Sequence, residues 1–520
     1  MRGGEIIIEI RDEAETRRLA CDLAMALVLA GSLKTGCMVH LSGDLGSGKS
    51  VLARTMIRHL SGDPALEVPS PTFSLVQHYA LPDPSLSGGA SPLEILHGDL
   101  YRIGDPRECL ELGLTQTIPG RLCLVEWPEN GEGELAEADL AIHLAERGDA
   151  GSETRRATLS GTSAIMAAVG RSLAIRSFLD DGWGPDVERR PLQGDASSRA
   201  YELARLNGKT RILMNAPRQV EGPPVRDGKS YNRIARRAED VTAFAGVAAI
   251  LRRAGLTVPQ IHAADIGQGL LLIEHLGTGQ ITDAERRPIG ERYLATVEAI
   301  AGFHAGPVET RARLDTGAIH TVPPYDRDAM MIEVELLADW YAPRFKGATL
   351  TTGERAEFTS IWDALIATAL AGETRLCLRD LHSPNIIWRP ERTGTARVGL
   401  IDFQDAVIGP AAYDIACLGQ DARVDVDAAL EQAITDRYCD LRRQTGPFDR
   451  AAFERDYAIM AAQRVTKILG IFVRLDEQDG KPAYLEHMPR LHGYLERSFA
   501  HPVLKAYRDW YRRVIGTAGA

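Results

Sequence analysis

Cys37-Met38-Val39-His40-Leu41-Ser42-Gly43-Asp44-Leu45-Gly46-Ser47-Gly48-Lys49-Ser50 decides how the first third of the chain is read. A short apolar strand, Cys37–Leu41, runs straight into a glycine-rich turn, and a helical stretch over Lys49–Leu60 follows. Gly43 to Ser50 matches G-x-x-x-x-G-K-[ST], the pattern of a loop that cradles a phosphate chain. Glycines are needed there because backbone amides must close around the phosphates without side chains in the way. Gly43, Asp44, Leu45, Gly46, Ser47, Gly48, Lys49 and Ser50 are therefore the expected ATP-binding residues. Lys49 would lie along the β- and γ-phosphates, the Ser50 hydroxyl would ligate Mg²⁺, and the helix N-terminus would add the positive end of its dipole.

Mg²⁺ takes hard oxygen ligands, so carboxylates at neighbouring strand ends are the next candidates. Asp99 follows the strand ending at His97, and Glu126 closes the apolar run Leu122–Val125. Working outward, Glu5–Ile10 reads as a strand and Asp12–Ala30 as an amphipathic helix capped by Asp12. Leu93–Leu100 and Arg121–Trp127 read as strands, with helical residues around Pro106–Leu112. Ala138–Leu144 and Arg155–Leu159 read as an antiparallel pair across a Glu-Arg-Gly-Asp turn, and Leu81–Pro92 as a surface loop. Alternating strands and helices predict an α/β fold with a mostly parallel sheet.

The pattern changes near Gly161. Ser163–Asp180 is helical, and no long linker follows. Tyr201–Leu206 and Arg211–Asn215 are strands joined by Asn207-Gly208, a strong hairpin signal. Ile261–Ala264 and Leu270–Glu274 read as a strand pair, Asn385–Trp388 and Val398–Asp402 as another, and residues from Ala411 onward as helices. This predicts a small sheet-containing lobe followed by a larger helical lobe. The chain divides on this reading into residues 1–162 and 163–520.

Leu378-Arg379-Asp380-Leu381-His382-Ser383-Pro384-Asn385 has the spacing of a kinase catalytic loop, with Asp402-Phe403-Gln404 after an apolar strand. In that chemistry Asp380 orients the acceptor hydroxyl and takes its proton, while Asn385 and Asp402 hold Mg²⁺ against the ATP phosphates. Leu378 stands where protein kinases carry His, and Gln404 where they carry Gly. No lysine lies within Arg211–Asn215, where a phosphate-pairing lysine is expected. Lys209, Arg211 and Arg199 are weak substitutes. Gly194, Ser197, Ser198 and Arg199 form the candidate phosphate-covering turn. Glu274–Leu276 is the candidate hinge, with Glu274 and Leu276 meeting adenine.

The bulk numbers fit two or more ordinary globular domains. The chain has 520 residues, 44% hydrophobic and 25% charged, with a net charge of −11. That charge argues against a chain that coats nucleic acid by itself. Seven cysteines occur with no C-x-x-C pair, so reduced thiols are expected. Met1–Thr16 lacks the apolar core of a secretory signal. Apolar stretches such as Leu23–Ala30 fall short of the ~18 residues that a membrane span needs. A cytoplasmic setting without membrane attachment is expected.

Ser70-Pro71-Thr72-Phe73, His97-Gly98-Asp99-Leu100-Tyr101-Arg102 and Val125-Glu126-Trp127-Pro128-Glu129 resemble, in order and spacing, the TsaE family over about Glu5–Ser160. The resemblance implies a P-loop ATPase acting in tRNA threonylcarbamoyladenosine formation with TsaD and TsaB proteins, tRNA being met only indirectly. It implies a switch segment at Ser70–Phe73, with Thr72 near the γ-phosphate. Asp99 and Glu126 become metal or water-positioning carboxylates, Glu126 being the catalytic candidate, and Trp127 a site-wall aromatic.

The second half resembles the aminoglycoside phosphotransferase family over roughly Ile165–Arg513, in a bilobal, protein-kinase-like α+β fold. The segments are Gly194–Arg199, Arg379–Asn385, Leu400–Gln404, Ala412–Asp414, Gln420–Val424, Gln463–Leu475 and Tyr484–Arg490. They are most similar to the branch that phosphorylates the anomeric hydroxyl of N-acetylmuramate and N-acetylglucosamine in cell-wall recycling. A muramate carboxylate would need a cation, and Arg423 or Arg474 could supply it as a bidentate fork. Asp339-Trp340-Tyr341 could border a sugar. Two alternatives stand at this stage. The second half could take another hydroxyl acceptor, an aminoglycoside or choline-like molecule, or it could be a non-catalytic pseudokinase.

Overall fold

The computed structural model describes residues 3–82, 92–146, 154–192, 199–315 and 317–516. It forms two compact units, Met1–Ala216 with His262–Ile273, and Pro217–Ile261 with Glu274–Ala520. These units cut the chain differently from a division at 162/163. The chain crosses between them at Ala216, at Ile261 and at Ile273, immediately before the candidate hinge residue Glu274. The described part of the Leu81–Pro92 loop is its two ends alone, and the turn after Glu146 lies outside the described residues.

In the first unit Asp12 caps the helix Glu13–Leu29, its carboxylate accepting from the Glu15 amide at 2.8 Å. Leu19, Ala20, Leu23, Ala24 and Leu27 on that helix are buried in the core. The sheet order is Ile6–Ile10, Arg155–Gly161, Leu140–Glu146, Cys37–Gly43, Arg121–Glu126, Leu93–Asp99, Val76–Leu81. Its four inner strands pair in parallel, and antiparallel strands close both sides. Cys37–Gly43 lies at the centre, which is why its residues read as an unbroken apolar run.

Val76–Leu81 is a strand that the sequence reading passed over. As an edge strand it alternates half-buried and exposed residues and carries Gln77 and His78, so it lacks the apolar density of its neighbours. Pro106–Leu110 is helical as expected, but as a short 3₁₀ turn begun by Asp105.

The helix Ser163–Gly182 follows without a linker. Its first turns enter the core of the seven-stranded sheet through Ile165, Met166 and Val169. Its later residues Ile175 and Leu179 pack with Val187, Ala204, Leu213, Leu270 and Leu272 of a second sheet. That sheet has the order Ile261–Asp265, Leu270–Glu274, Lys209–Asn215, Ala200–Leu206, Glu188–Leu192. Its hairpin turns at Asn207 (φ 50°) and Gly208 (φ 74°), the paired positive φ values that a two-residue type I′ turn requires.

The second unit is mostly helical. Two small antiparallel strand pairs, Thr374–Cys377 with Val407–Pro410 and Ile386–Trp388 with Val398–Leu400, frame the predicted catalytic loop. The long helix Arg450–Asp479 is buried over much of its length. A Cβ at its Gly470 would lie 2.3 Å from the Leu336 backbone, so only glycine admits this close approach. Among the described residues no helix is long and apolar enough to cross a membrane.

Candidate active sites

The first site grows out of the end of the central strand. Gly43, Gly46 and Gly48 have φ values of 132°, 82° and 105°. A Cβ at Gly43 would stand 2.1 Å from the Leu144 carbonyl oxygen, which rules out any side chain there. The helix Lys49–Ser61 starts at Gly48 with no side-chain cap, so its first amides and dipole face the loop. Lys49 is only 5% exposed. Its Nζ donates to the carbonyls of Gly43 (2.6 Å) and Asp44 (2.8 Å) and lies 3.9 Å from the Trp127 ring centroid. Burial lowers its pKa, against the pull of Glu126, Glu129, Asp99 and Asp44.

Asp99 and Glu126 end adjacent parallel strands and pair directly in register. Ser50 Oγ donates to Glu126 Oε2 at 2.8 Å, and His97 Nε2 meets Oε1 at 2.9 Å, with both His97 and Glu126 buried. Asp99 accepts from Thr72 Oγ1 at 3.0 Å and from the Tyr101 amide at 3.0 Å. Ser70 Oγ meets Thr72 Oγ1 at 2.9 Å. Trp127 adopts a left-handed backbone (φ 58°), and its ring lies 5.0 Å from that of Tyr101.

The structure thus brings Lys49, Ser50, Thr72, Asp99, Glu126 and Trp127 together, with Leu45 exposed on the loop. The sequence reading gave His97 no role, although it lies two residues before Asp99 on the same strand. The donor set is one hydroxyl and two carboxylates beside a phosphate loop. It fits a Mg²⁺ ion that shares its ligands with phosphate oxygens and water.

The second site is built around a loop suspended from buried acids. Asp414 accepts the amides of Leu378 (2.7 Å) and Arg379 (2.9 Å), and Asp421 accepts that of Ser383 (2.7 Å). Burial pushes Asp414 up to about 7 despite its two amide donors. Arg379, at φ 75°, pairs with buried Glu333. Glu333 also holds Lys467 Nζ (3.1 Å), Gln463 Nε2 (3.0 Å) and the Tyr325 hydroxyl. Burial works to raise its pKa, but Arg379 and Lys467 bring it down to about 2.

Asn385 Nδ2 donates to the Asp380 carbonyl at 2.9 Å and approaches Asp402 Oδ2 at 3.4 Å. Gln404 Nε2 holds Asp402 Oδ1 at 2.9 Å, so the residue that departs from the kinase pattern orients the carboxylate two positions before it. Asp402 itself has φ 60°. Asn385 therefore links the Asp380 backbone carbonyl to the Asp402 carboxylate. Burial would raise the Asp380 carboxyl, but His382, Arg237, Lys467 and Arg379 hold it below the usual carboxylate range. The Asp402 carboxylate and the Asn385 side-chain amide supply oxygens that fit Mg²⁺.

Other expected residues stand apart. Gly194, Ser197 and Ser198 lie outside the described residues, and Arg199 is half-buried beside them. Arg211 stacks on Trp183, 4.3 Å from its ring centroid, and Lys209 is exposed at the hairpin. Glu274 accepts the Gln260 amide at 3.2 Å and lies 3.8 Å from Arg389, while Leu276 is buried. The Arg423 amide donates to Asp421 at 2.8 Å, and the Arg474 guanidinium lies 5.4 Å from the Tyr231 ring. Asp339 pairs with Arg355, and Tyr341 bonds His492 at 2.7 Å. Glu333, Asp405 and Arg237 were not singled out from sequence, where nothing local distinguishes them from surface charges, and Asp421 stood within the segment Gln420–Val424 without a role of its own.

Comparison with known proteins finds two families along the chain. Residues 188–452 match the profile of the phosphotransferase enzyme family, and residues 10–157 that of the threonylcarbamoyl adenosine biosynthesis protein TsaE. The N-acetylmuramate/N-acetylglucosamine kinase of Caulobacter vibrioides is 36% identical over 359 residues, 66% of this chain and 97% of that protein. The tRNA threonylcarbamoyladenosine biosynthesis protein TsaE of Rickettsia typhi is 37% identical over 120 residues, 23% of this chain and 72% of that protein. Its Rickettsia felis counterpart is 39% identical over 120 residues, 23% of this chain and 61% of that protein. A catalytic-loop cluster in one compact unit and a phosphate loop with paired carboxylates in the other thus correspond to two lineages, and the chain belongs to the phosphotransferase enzyme family, fused at its N-terminal part to a member of the TsaE family.

Proposed function

We propose that the chain is a bifunctional cytoplasmic enzyme, an ATPase of tRNA N6-threonylcarbamoyladenosine formation joined to an ATP-dependent amino-sugar kinase. Functionally it divides into residues 1–162 and 163–520. What supports the reading is two separate side-chain clusters, a phosphate-loop pattern beside Asp99 and Glu126 and a catalytic-loop pattern beside Asp402, each within a matched family.

In the kinase half, Asp380 orients the anomeric hydroxyl of N-acetylmuramate or N-acetylglucosamine and takes its proton. The hydroxyl oxygen attacks the γ-phosphorus, the bond to the β-phosphate oxygen breaks, and ADP and the sugar 1-phosphate leave. A carboxylate kept ionised by surrounding cations is ready for that role. Asn385 and Asp402 would hold a magnesium ion, whose charge would offset that of the phosphates. Arg423 and Arg474 are the candidate cations for the muramate carboxylate. The link that Asn385 makes between the Asp380 backbone carbonyl and the Asp402 carboxylate argues against a pseudokinase.

In the ATPase half, the loop from Gly43 to Ser50 binds the triphosphate. Glu126 and Asp99 would position a metal ion and water, and Thr72 would lie near the γ-phosphate. TsaD- and TsaB-like proteins are the partners that the resemblance to the TsaE family implies.

A phosphorylation panel of N-acetylmuramate, N-acetylglucosamine, an aminoglycoside and choline, run with Lys49→Ala and Asp380→Ala, tests the reading. Lys49→Ala should lose sugar-independent ATP hydrolysis and keep sugar 1-phosphate formation, and Asp380→Ala should do the reverse. Phosphorylation of the aminoglycoside or choline alone would replace the sugar assignment. Loss of both activities in either variant would overturn the independence of the two sites.

A further inference from the structure

The kinase half lacks a lysine on the strand Lys209–Asn215 beyond the hairpin position Lys209, and Arg211 is committed to Trp183. A transferring phosphoryl group still carries charge that some cation has to meet. Arg237 stands beside the candidate metal-binding segment. Its Nη2 lies 3.2 Å from Asp405 Oδ2, and Asp405 stands three residues beyond Asp402 in the candidate metal-binding segment. The Asp405 side chain is 1% exposed, whereas that of Arg237 is 42% exposed. The guanidinium is therefore anchored through Nη2, while the side chain as a whole stays partly exposed.

The backbone around Arg237 is held from several directions. The Ala238 amide donates to Asp405 Oδ1 at 2.6 Å. The Arg236 carbonyl accepts from Arg379 Nη1 at 3.5 Å, and the Arg236 side chain pairs with Asp326. Arg236 has φ 57°, a left-handed conformation unfavourable for a residue with a side chain and maintained here by those contacts. Arg379 directly precedes Asp380, so this turn is tied to the catalytic loop itself. The charge of Arg237 is also among those that hold the Asp380 carboxyl low.

We propose that Arg237 binds the γ-phosphoryl group during its transfer, supplying the cation that the strand lacks, with Asp405 as its positioning residue. The proposal rests on the kinase reading above. As the bond to ADP lengthens and the bond to the acceptor oxygen forms, negative charge stays on the non-bridging phosphoryl oxygens. A planar guanidinium meets two of them at once. The reacting bonds and the proton transferred to Asp380 are unchanged by its presence.

The test measures sugar 1-phosphate formation by the full chain carrying Lys49→Ala, which silences the other ATP site. Arg237→Ala should lower kcat by roughly 10²–10³-fold, the scale for removing one preorganised charge-stabilising group, with KM for the sugar nearly constant. Arg237→Lys should restore part of the rate, and Asp405→Asn should fall between the two. Arg237→Met combined with Asp405→Asn removes the uncompensated buried acid. If that pair recovers the wild-type rate, Arg237 serves only to neutralise Asp405 and the proposal fails. A kcat within threefold of the parent for Arg237→Ala overturns it equally. A parent chain inactive on every acceptor instead overturns the kinase reading itself.

Discussion

Arg189 Nη1 lies 2.8 Å from Asp22 Oδ1, in an ion pair whose side chains are 0% and 3% exposed. Asp22 belongs to the first helix of the TsaE part, and Arg189 to the first strand of the kinase sheet. Arg189 also grips Glu202 at 2.8 Å, and Arg176 on the intervening helix grips Asp22 at 2.9 Å. Two acids and two guanidiniums thus balance within the first compact unit. Arg190 adds a bond to the carbonyl of His59, near the end of the phosphate-loop helix, at 2.5 Å.

The first prediction concerns this cluster. Arg189→Met leaves Glu202 buried without its partner and Asp22 with one cation instead of two. Breaking a buried pair from one side costs about 3–5 kcal/mol. Thermal unfolding should begin earlier, and hydrogen exchange should rise together in the helix Glu13–Leu29 and the strand Glu188–Leu192. Adding Glu202→Gln should return part of the loss. A rise confined to the strand would show that the two families' parts are not held together through this cluster.

Little of that cluster was legible in advance. The phosphate loop and the catalytic loop are local patterns of about eight residues, and each is dictated by a turn geometry that few other residues allow. Asp22 and Arg189 are separated by 167 positions, and Arg237 and Asp405 by 168. In the sequence each looks like any helix or strand charge. Burial is what gives them meaning, and burial is set by packing between segments that periodicity cannot pair. Gln404 is the converse case. It was visible as a departure from the kinase pattern, but its reason, the bond to Asp402, appears only in the fold.

The second prediction follows from the two oxygens of Glu126, one on Ser50 and one on His97. His97 fixes which way the carboxylate faces without itself being placed to touch nucleotide. Supporting contacts of this kind are worth roughly 10–100-fold in metal affinity or activity. His97→Ala should therefore raise the Mg²⁺ concentration needed for half-maximal ATP hydrolysis by about 10-fold on that scale, with sugar phosphorylation untouched. An unchanged magnesium titration would remove His97 from the site.

The third prediction uses Lys49 and Trp127. The ammonium is held by the carbonyls of its own loop and by the indole face. Nucleotide must exchange those contacts for phosphate oxygens, which changes the surroundings of Trp127. ATP analogue titration should give a saturable change in tryptophan fluorescence, and Trp127→Phe should remove the component of it that Lys49→Ala also removes. Retention of the full change in Trp127→Phe would place the responding ring elsewhere.

The fourth prediction is a pH dependence set by Glu333. Its folded pKa of about 2 lies below the ordinary 4.5, so the native state favours the ionised form. Its contribution is present above about pH 4.5 and is lost as pH falls through about 2. The shift corresponds to about 3 kcal/mol at neutral pH. Glu333→Gln also leaves Arg379 and Lys467 without their shared partner. Urea unfolding of the two proteins should differ most at neutral pH, and the gap should narrow steadily between pH 4.5 and 2. A gap that stays constant across that range would mean that the charge of Glu333 does not stabilise the fold, and that shape or hydrogen bonding alone anchors Arg379 beside Asp380.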